Sequence, residues 1–210
     1  MKKRILILAC ALALLVGCLV MTSMAATTKT GYCQACKETV TWEPIVFGTQ
    51  TGEIGEHRHY YLDKDYTHTG NKQLNVKGNS MTLCIDLNGK SWYSYGRAFY
   101  ANYNTKNEDW STINIQDSVG GAVVTARAEA WLKADGTVTG TNNTGGANIW
   151  VAEKCTVNIY GGTFKLDAVT SQQGLRVDNG GIASVCDGGT LNVYGGTLQG
   201  GNIKGSGGAV

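Results

Sequence analysis

Cys155-Thr-Val-Asn-Ile-Tyr-Gly-Gly-Thr-Phe164 returns 34 residues later as Gly189-Thr-Leu-Asn-Val-Tyr-Gly-Gly-Thr-Leu198. Large apolar residues alternate with Thr and Asn, and a glycine pair then breaks the alternation. A period of two is that of a strand with one buried face. The glycine pair frees the backbone for a corner. A strand returning at a long interval is one rung of a stacked solenoid, because each unit buries its apolar face only against the next.

Working outward, the same phrase is recognisable twice more, as Thr82-Leu-Cys-Ile85 and Thr112-Ile-Asn-Ile115. The four threonines are 30, 44 and 34 residues apart. Shorter strands are expected between the rungs at Arg97–Tyr100, Ala122–Thr125, Asn148–Val151 and Ile182–Val185. A turn, two or three short strands and a return to phase describe an all-β chain, a right-handed parallel β-helix. Ile113, Ile115, Val157, Ile159, Leu191 and Val193 should stack inside it. Thr112, Thr156 and Thr190 should line up outside, beside Asn114, Asn158 and Asn192. The 44-residue interval contains Ala126–Ala134, whose composition favours an inserted helix.

Before the rungs the sequence is mixed. Thr27–Gly31 is a polar lead, Thr39–Trp42 alternates as a strand, and Phe47–Arg58 has the composition of a loop. His59–Leu62 and Gln73–Val76 are short strand candidates. Residues 27–80 are therefore expected to form a small N-terminal cap region and residues 81–210 the β-helix. The ending Gly208-Ala209-Val210 resembles the start of another rung. The expectation is a chain that continues, with further modules or self-association covering the open coil.

Residues 1–26 carry a basic start, an apolar run from Ile5 to Val20 and small residues at Ala25-Ala26, the pattern of a secretory signal peptide. The run is shorter than the roughly 20 residues that span a bilayer. A lipobox-like Leu15-Val-Gly-Cys18 offers lipid anchoring at Cys18 as a competing reading. The expected location is extracellular or at the cell surface. Removing Lys2, Lys3 and Arg4 changes the formal charge from +2 to −1. No basic run follows, which argues against a nucleic-acid partner.

With these residues placed, the chain resembles the secreted, repeat-rich surface proteins of gut Firmicutes that carry right-handed β-helix, pectin-lyase-like domains. The resemblance spans Cys33 to Val210. It rests on Tyr32-Cys-Gln-Ala-Cys36, Trp42, His59-Tyr-Tyr-Leu62, Cys84-Ile-Asp-Leu-Asn-Gly89, Ile115-Gln-Asp-Ser-Val-Gly-Gly121 and the two Asn-(Ile/Val)-Tyr-Gly-Gly-Thr segments. It implies export, a β-helix and further modules. It transfers no catalytic residue.

Two groups of side chains carry chemistry. Cys33-x-x-Cys36 with His57 and His59 offers two thiols and two imidazoles, a set that holds zinc tetrahedrally. The competing reading, favoured by an oxidising compartment, is a short-range disulfide or another purely structural role. Cys84 and Cys155 fall in or beside strands and are read as small apolar fillers. The second group is aromatic: Trp92, Tyr93, Tyr95 and Tyr100 with Arg97, followed by Trp110. Exposed rings stack on sugars, whereas buried rings pack core. The Thr/Asn/Tyr face of the rungs is a third, weaker candidate for an extended polysaccharide. Asp86 and Asp117 lie near turns, which explains them without catalysis. No clustered pair of acids emerges, as glycoside hydrolysis requires. The expected role is a secreted, non-catalytic, adhesin-like scaffold that binds host or cell-wall glycans, with no cofactor beyond a structural zinc. The alternative is a β-helix polysaccharide lyase or glycoside hydrolase.

Overall fold

The computed structural model describes residues 27–68, 73–95, 97–102, 110–128, 148–168 and 182–200. The expected signal peptide, the lipobox at Cys18 and the chain after 200 lie outside these residues.

The chain is all-β. Among the described residues the strands form three sheets, and every strand pair in them is parallel except one N-terminal pair. The first sheet holds β1 (Lys29–Cys33), β2 (Glu38–Pro44), β4 (His57–Tyr61), β7 (Thr82–Asp86), β10 (Thr112–Gln116), β13 (Thr156–Ile159) and β16 (Thr190–Val193). The second holds β5 (Tyr66–Thr67), β8 (Trp92–Tyr95), β11 (Val123–Ala128), β14 (Thr163–Ala168) and β17 (Thr197–Gln199). The third holds β3 (Gly48–Gln50), β6 (Leu74–Lys77), β9 (Phe99–Asn102), β12 (Ile149–Val151) and β15 (Ala183–Val185). From β4 onward the chain visits first, second and third sheet in turn and returns one strand further along. That is a solenoid.

The repeat phrase sets the register. Thr82, Thr112, Thr156 and Thr190 pair in one row, and Ile85, Ile115, Ile159 and Val193 in another. Leu83, Ile85, Ile113, Ile115, Val157 and Ile159 are fully buried between the sheets. Trp92, Val124 and Phe164 form the matching row of the second sheet, and Leu74, Phe99 and Ile149 that of the third. Val193 departs from expectation, at 47% exposed. Its strand β16 is the last of its sheet among the described residues, so no further coil covers it there.

Corners need backbone that only glycine supplies at low cost. Gly196 has φ +92°, and a Cβ there would meet the carbonyl oxygen of Gly162 at 2.6 Å. Both glycine pairs of the repeat therefore pack corner on corner.

Several local expectations change. Residues Ala126–Ala128 are strand, not helix, because β11 pairs along its length with β14. The rest of that expected helix lies outside the described residues. The stretch Phe47–Arg58 is not all loop: it contains β3 and the start of β4. The polar lead contributes β1, which pairs antiparallel with β2 from Lys29↔Trp42 to Cys33↔Glu38.

That β1–β2 hairpin positions the site. Its turn closes through Lys37 N–H donating to Cys33 O at 2.8 Å, with Lys37 at φ 60°. The turn curls over the outer face of the first sheet. Gln34 N–H donates to Gln116 Oε1 (2.8 Å), and Gln116 Nε2 donates to Tyr32 O (2.9 Å). Lys29 Nζ reaches the buried Asp86 carboxylate at 2.8 Å and Asn88 Oδ1 at 2.7 Å. Beneath the hairpin lies a small cluster separate from the main core: Cys33, Trp42, Tyr61 and Cys84.

Candidate metal centre

Three elements deliver the donors. The hairpin turn brings Cys33 and Cys36, β4 brings His57 and His59, and β7 brings Cys84. Parallel pairing sets His57 beside Thr82 and His59 beside Cys84. Alternation then decides the side. Leu83 and Ile85 point into the core, so Cys84 between them points outward, under the turn. Burial there is complete (1% exposed) because the hairpin covers it.

The ligand atoms of Cys33, Cys36, His59 and Cys84 all lie within 4.8 Å of one another. Two sulfurs bound tetrahedrally at about 2.3 Å from zinc stand ~3.8 Å apart, and a sulfur and an imidazole nitrogen ~3.6 Å. The observed separations are 3.9 Å for Cys36 Sγ–Cys84 Sγ and 3.3 Å for Cys36 Sγ–His59 Nε2. This is a Cys3His set with the ligand geometry of a structural zinc site. Zinc held by these residues would join the turn to two successive coils. His57 stands at the rim outside the four-donor set, its Nε2 3.1 Å from Cys84 Sγ and 3.5 Å from Cys36 Sγ. The two histidine rings stack at 4.6 Å.

Without metal, the thiols cannot all ionise together. A hydrogen bond from Cys84 holds the Cys33 thiol down to about 5, against the opposing effect of burial. Burial and then the adjacent Cys33 push Cys36 up to about 11. The Cys84 thiol is pushed up by its hydrogen bond to Cys33 and by burial. Desolvation, then repulsion from His59, holds His57 below the usual imidazole value, which favours the neutral ring. One negative charge shared by three sulfurs is satisfied far better by a divalent cation.

Neither Cys33 nor Cys36 is in a disulfide; both are free, with their sulfurs in the cluster. Cys84 contributes its sulfur to the cluster rather than serving as apolar filler. Cys155 does fill the core, fully buried and contacted by Ser111 Oγ at 3.7 Å. Reading Cys84 as outward required only the alternation already visible around it.

The expected aromatic platform is divided. Trp92 is fully buried in the main core against Phe47 and Phe99. Tyr93 lies half-exposed on the second sheet, and Tyr95 follows on the same strand. Arg97 and Tyr100 belong to the third sheet's side, where the guanidinium lies over Trp150 at 4.1 Å and over Tyr100 at 5.1 Å. Trp110 is 47% exposed. On the outer face of the first sheet, Tyr160 and Tyr194 stack at 5.0 Å.

The acids are committed elsewhere. Asp86 accepts from Lys29, Ser118 Oγ (2.6 Å), Ser118 N (3.0 Å) and Asn88 N (2.9 Å). Asp117 accepts from the backbone amides of Gly89, Gly120 and Ala122. Both are corner residues, as expected.

The cluster overturns the expectation of a non-catalytic, adhesin-like glycan scaffold. Three thiols and an imidazole converging under a dedicated hairpin are a built functional site. A plain polar face needs no such convergence. Comparison with known proteins matches no family model, no curated protein and no solved structure. No helix of the described residues is long and apolar enough to cross a membrane. The fold and the site together define the class: a parallel β-solenoid with a Cys3His cluster that has the ligand geometry of a structural zinc site.

Proposed function

We propose that this chain is an exported, zinc-binding right-handed parallel β-helix protein, similar to the pectin-lyase-like surface proteins of gut Firmicutes. The single observation behind the zinc function is the convergence of Cys33, Cys36, His59 and Cys84. The handedness follows from the strong rule that connections between parallel strands of one sheet cross over right-handedly. Export is supported by the Met1–Ala26 pattern. The test is metal uptake by the mature chain, read by native mass spectrometry and by cobalt substitution. One zinc per chain is expected, with a thiolate-to-cobalt charge-transfer band that weakens when Cys84 becomes serine. A chain that takes up neither metal refutes the reading.

A second reading is a carbohydrate-active enzyme, a polysaccharide lyase or glycoside hydrolase acting on an extended glycan. One observation favours it. His57 is an exposed residue, its imidazole is held toward neutrality, and it stands beside the four donors rather than among them. The zinc, held by four protein donors, would fix the turn beside the site, and His57 would accept a proton. Release of unsaturated or reducing ends from polysaccharide supports this reading if it is lost in His57→Ala. No turnover of any polysaccharide by the zinc-loaded chain defeats it.

A further inference from the structure

The outer face of the first sheet carries a directed row of side-chain amides that ends on a metal-site sulfur. His59, Cys84, Asn114, Asn158 and Asn192 occupy successive positions of one row. Asn192 Nδ2 donates to Asn158 Oδ1 at 2.9 Å, and Asn158 Nδ2 donates to Asn114 Oδ1 at 2.8 Å. Asn114 Nδ2 then donates to Cys84 Sγ at 3.3 Å. Every amide points the same way along the solenoid.

The direction carries the argument. An asparagine side chain can present either its oxygen or its NH2 to a neighbour. Donation from Asn158 occupies the Asn114 oxygen, which leaves the NH2 for the sulfur. A neutral thiol has a proton to give, whereas a metal-bound thiolate only accepts. The ladder therefore presents Cys84 with the partner a thiolate needs, in a contact closed to water: Asn114 is 7% exposed. Hydrogen bonds around a metal site that orient its ligands commonly change metal affinity 10- to 100-fold when removed.

We propose that Asn114 is a positioning residue for the Cys84 metal thiolate, and that Asn158 fixes the orientation of its amide. This rests on the zinc reading. The repeat asparagines thereby serve two purposes, as a surface ladder and as a support that extends two coils beyond the metal.

The test uses the mature chain with Asn114→Leu, Asn114→Asp and Asn158→Leu, each first checked for wild-type circular dichroism. Zinc affinity is read by chelator competition, the cobalt charge-transfer band by absorbance, and Cys84 alkylation in the zinc-loaded chain by iodoacetamide and peptide mass. The expected result is 10- to 100-fold weaker zinc binding in Asn114→Leu, with faster Cys84 alkylation and a displaced band. Asn114→Asp, which turns an acceptor toward the sulfur, should lose more. Asn158→Leu, which touches no ligand, should shift all three readouts in the same direction by less. A merely structural role would leave the band and the alkylation rate unmoved. If wild type binds metal and the variants match it in all three readouts, the proposal is overturned and the zinc reading stands. If wild type binds neither zinc nor cobalt, both are overturned.

Discussion

Cys84→Ala isolates what the metal does for the fold. The β1–β2 hairpin has little core of its own: Cys33, Trp42, Tyr61 and Cys84 are its buried members. Its other attachments are the Gln116 contacts, the Lys29 contacts with Asp86 and Asn88, the Tyr61 hydroxyl donating to Thr27 O, and the short parallel pairing of Glu43 and Pro44 with Tyr60 and Tyr61. A solenoid is quasi-one-dimensional, so loss of the clamp should free the hairpin and leave the later coils intact. At free zinc a thousandfold above Kd, binding stabilises the site by about 4 kcal/mol. That corresponds to a factor of roughly 10³ in local opening. Removing one of four ligands, at a loss on the order of a thousandfold in affinity, leaves ~0.4 kcal/mol at the same zinc concentration. In the metal-free protein the substitution removes only one small buried group, about 1 kcal/mol. Hydrogen exchange of the Lys29–Glu43 amides, with zinc and with chelator, reads both terms. Wild type should gain about a thousandfold in protection on zinc loading and Cys84→Ala almost nothing, while β13 and β16 stay unchanged. If zinc binds stoichiometrically and hairpin protection is the same in both proteins, the clamp is wrong.

Two further outcomes follow from the same geometry. Val157→Asp places an unpaired carboxylate in the row between Ile113 and Leu191, at a position with no exposure, and should cost on the order of 3–5 kcal/mol. The β-sheet circular dichroism should melt earlier, with exchange rising first in β10, β13 and β16; an unchanged melting profile would contradict the inward register. Asp86 supplies a pH dependence. Burial alone would raise its pKa, but hydrogen bonds from Lys29 and Ser118 more than offset it, so the folded value is depressed. A depressed value means stability that is complete above the unfolded pKa of ~3.9 and lost as pH falls through the folded one. Hairpin protection, measured without metal, should fall first near pH 5 as the Cys33 thiolate protonates and then show a separate step below about pH 4 from Asp86. Asp86→Asn should abolish that step.

Much of this protein is determined by local pattern. Thr156-Val-Asn-Ile159 and its three relatives state which side chains face inward, because strand alternation is a local property. Their spacing states that the strands stack, because a rung cannot bury its face alone. The same logic contained Cys84, placed outward by Leu83 and Ile85 and one rung from Asn114. Reading cysteine by its average burial, rather than by its phase, assigned it to the core. Other features are not local. That the polar lead is a strand depends on pairing with Glu38–Pro44, and tertiary pairing likewise kept Ala126–Ala128 extended despite their helical composition. Trp92 and Tyr100 are eight residues apart in sequence but on different sheets, because a corner separates them. The metal centre itself required the tertiary fold. Cys36 and Cys84 are 48 residues apart, and no spacing rule joins them. They meet because the hairpin turn, held by Gln116 and Asp86, folds back over a face that two successive coils have already built.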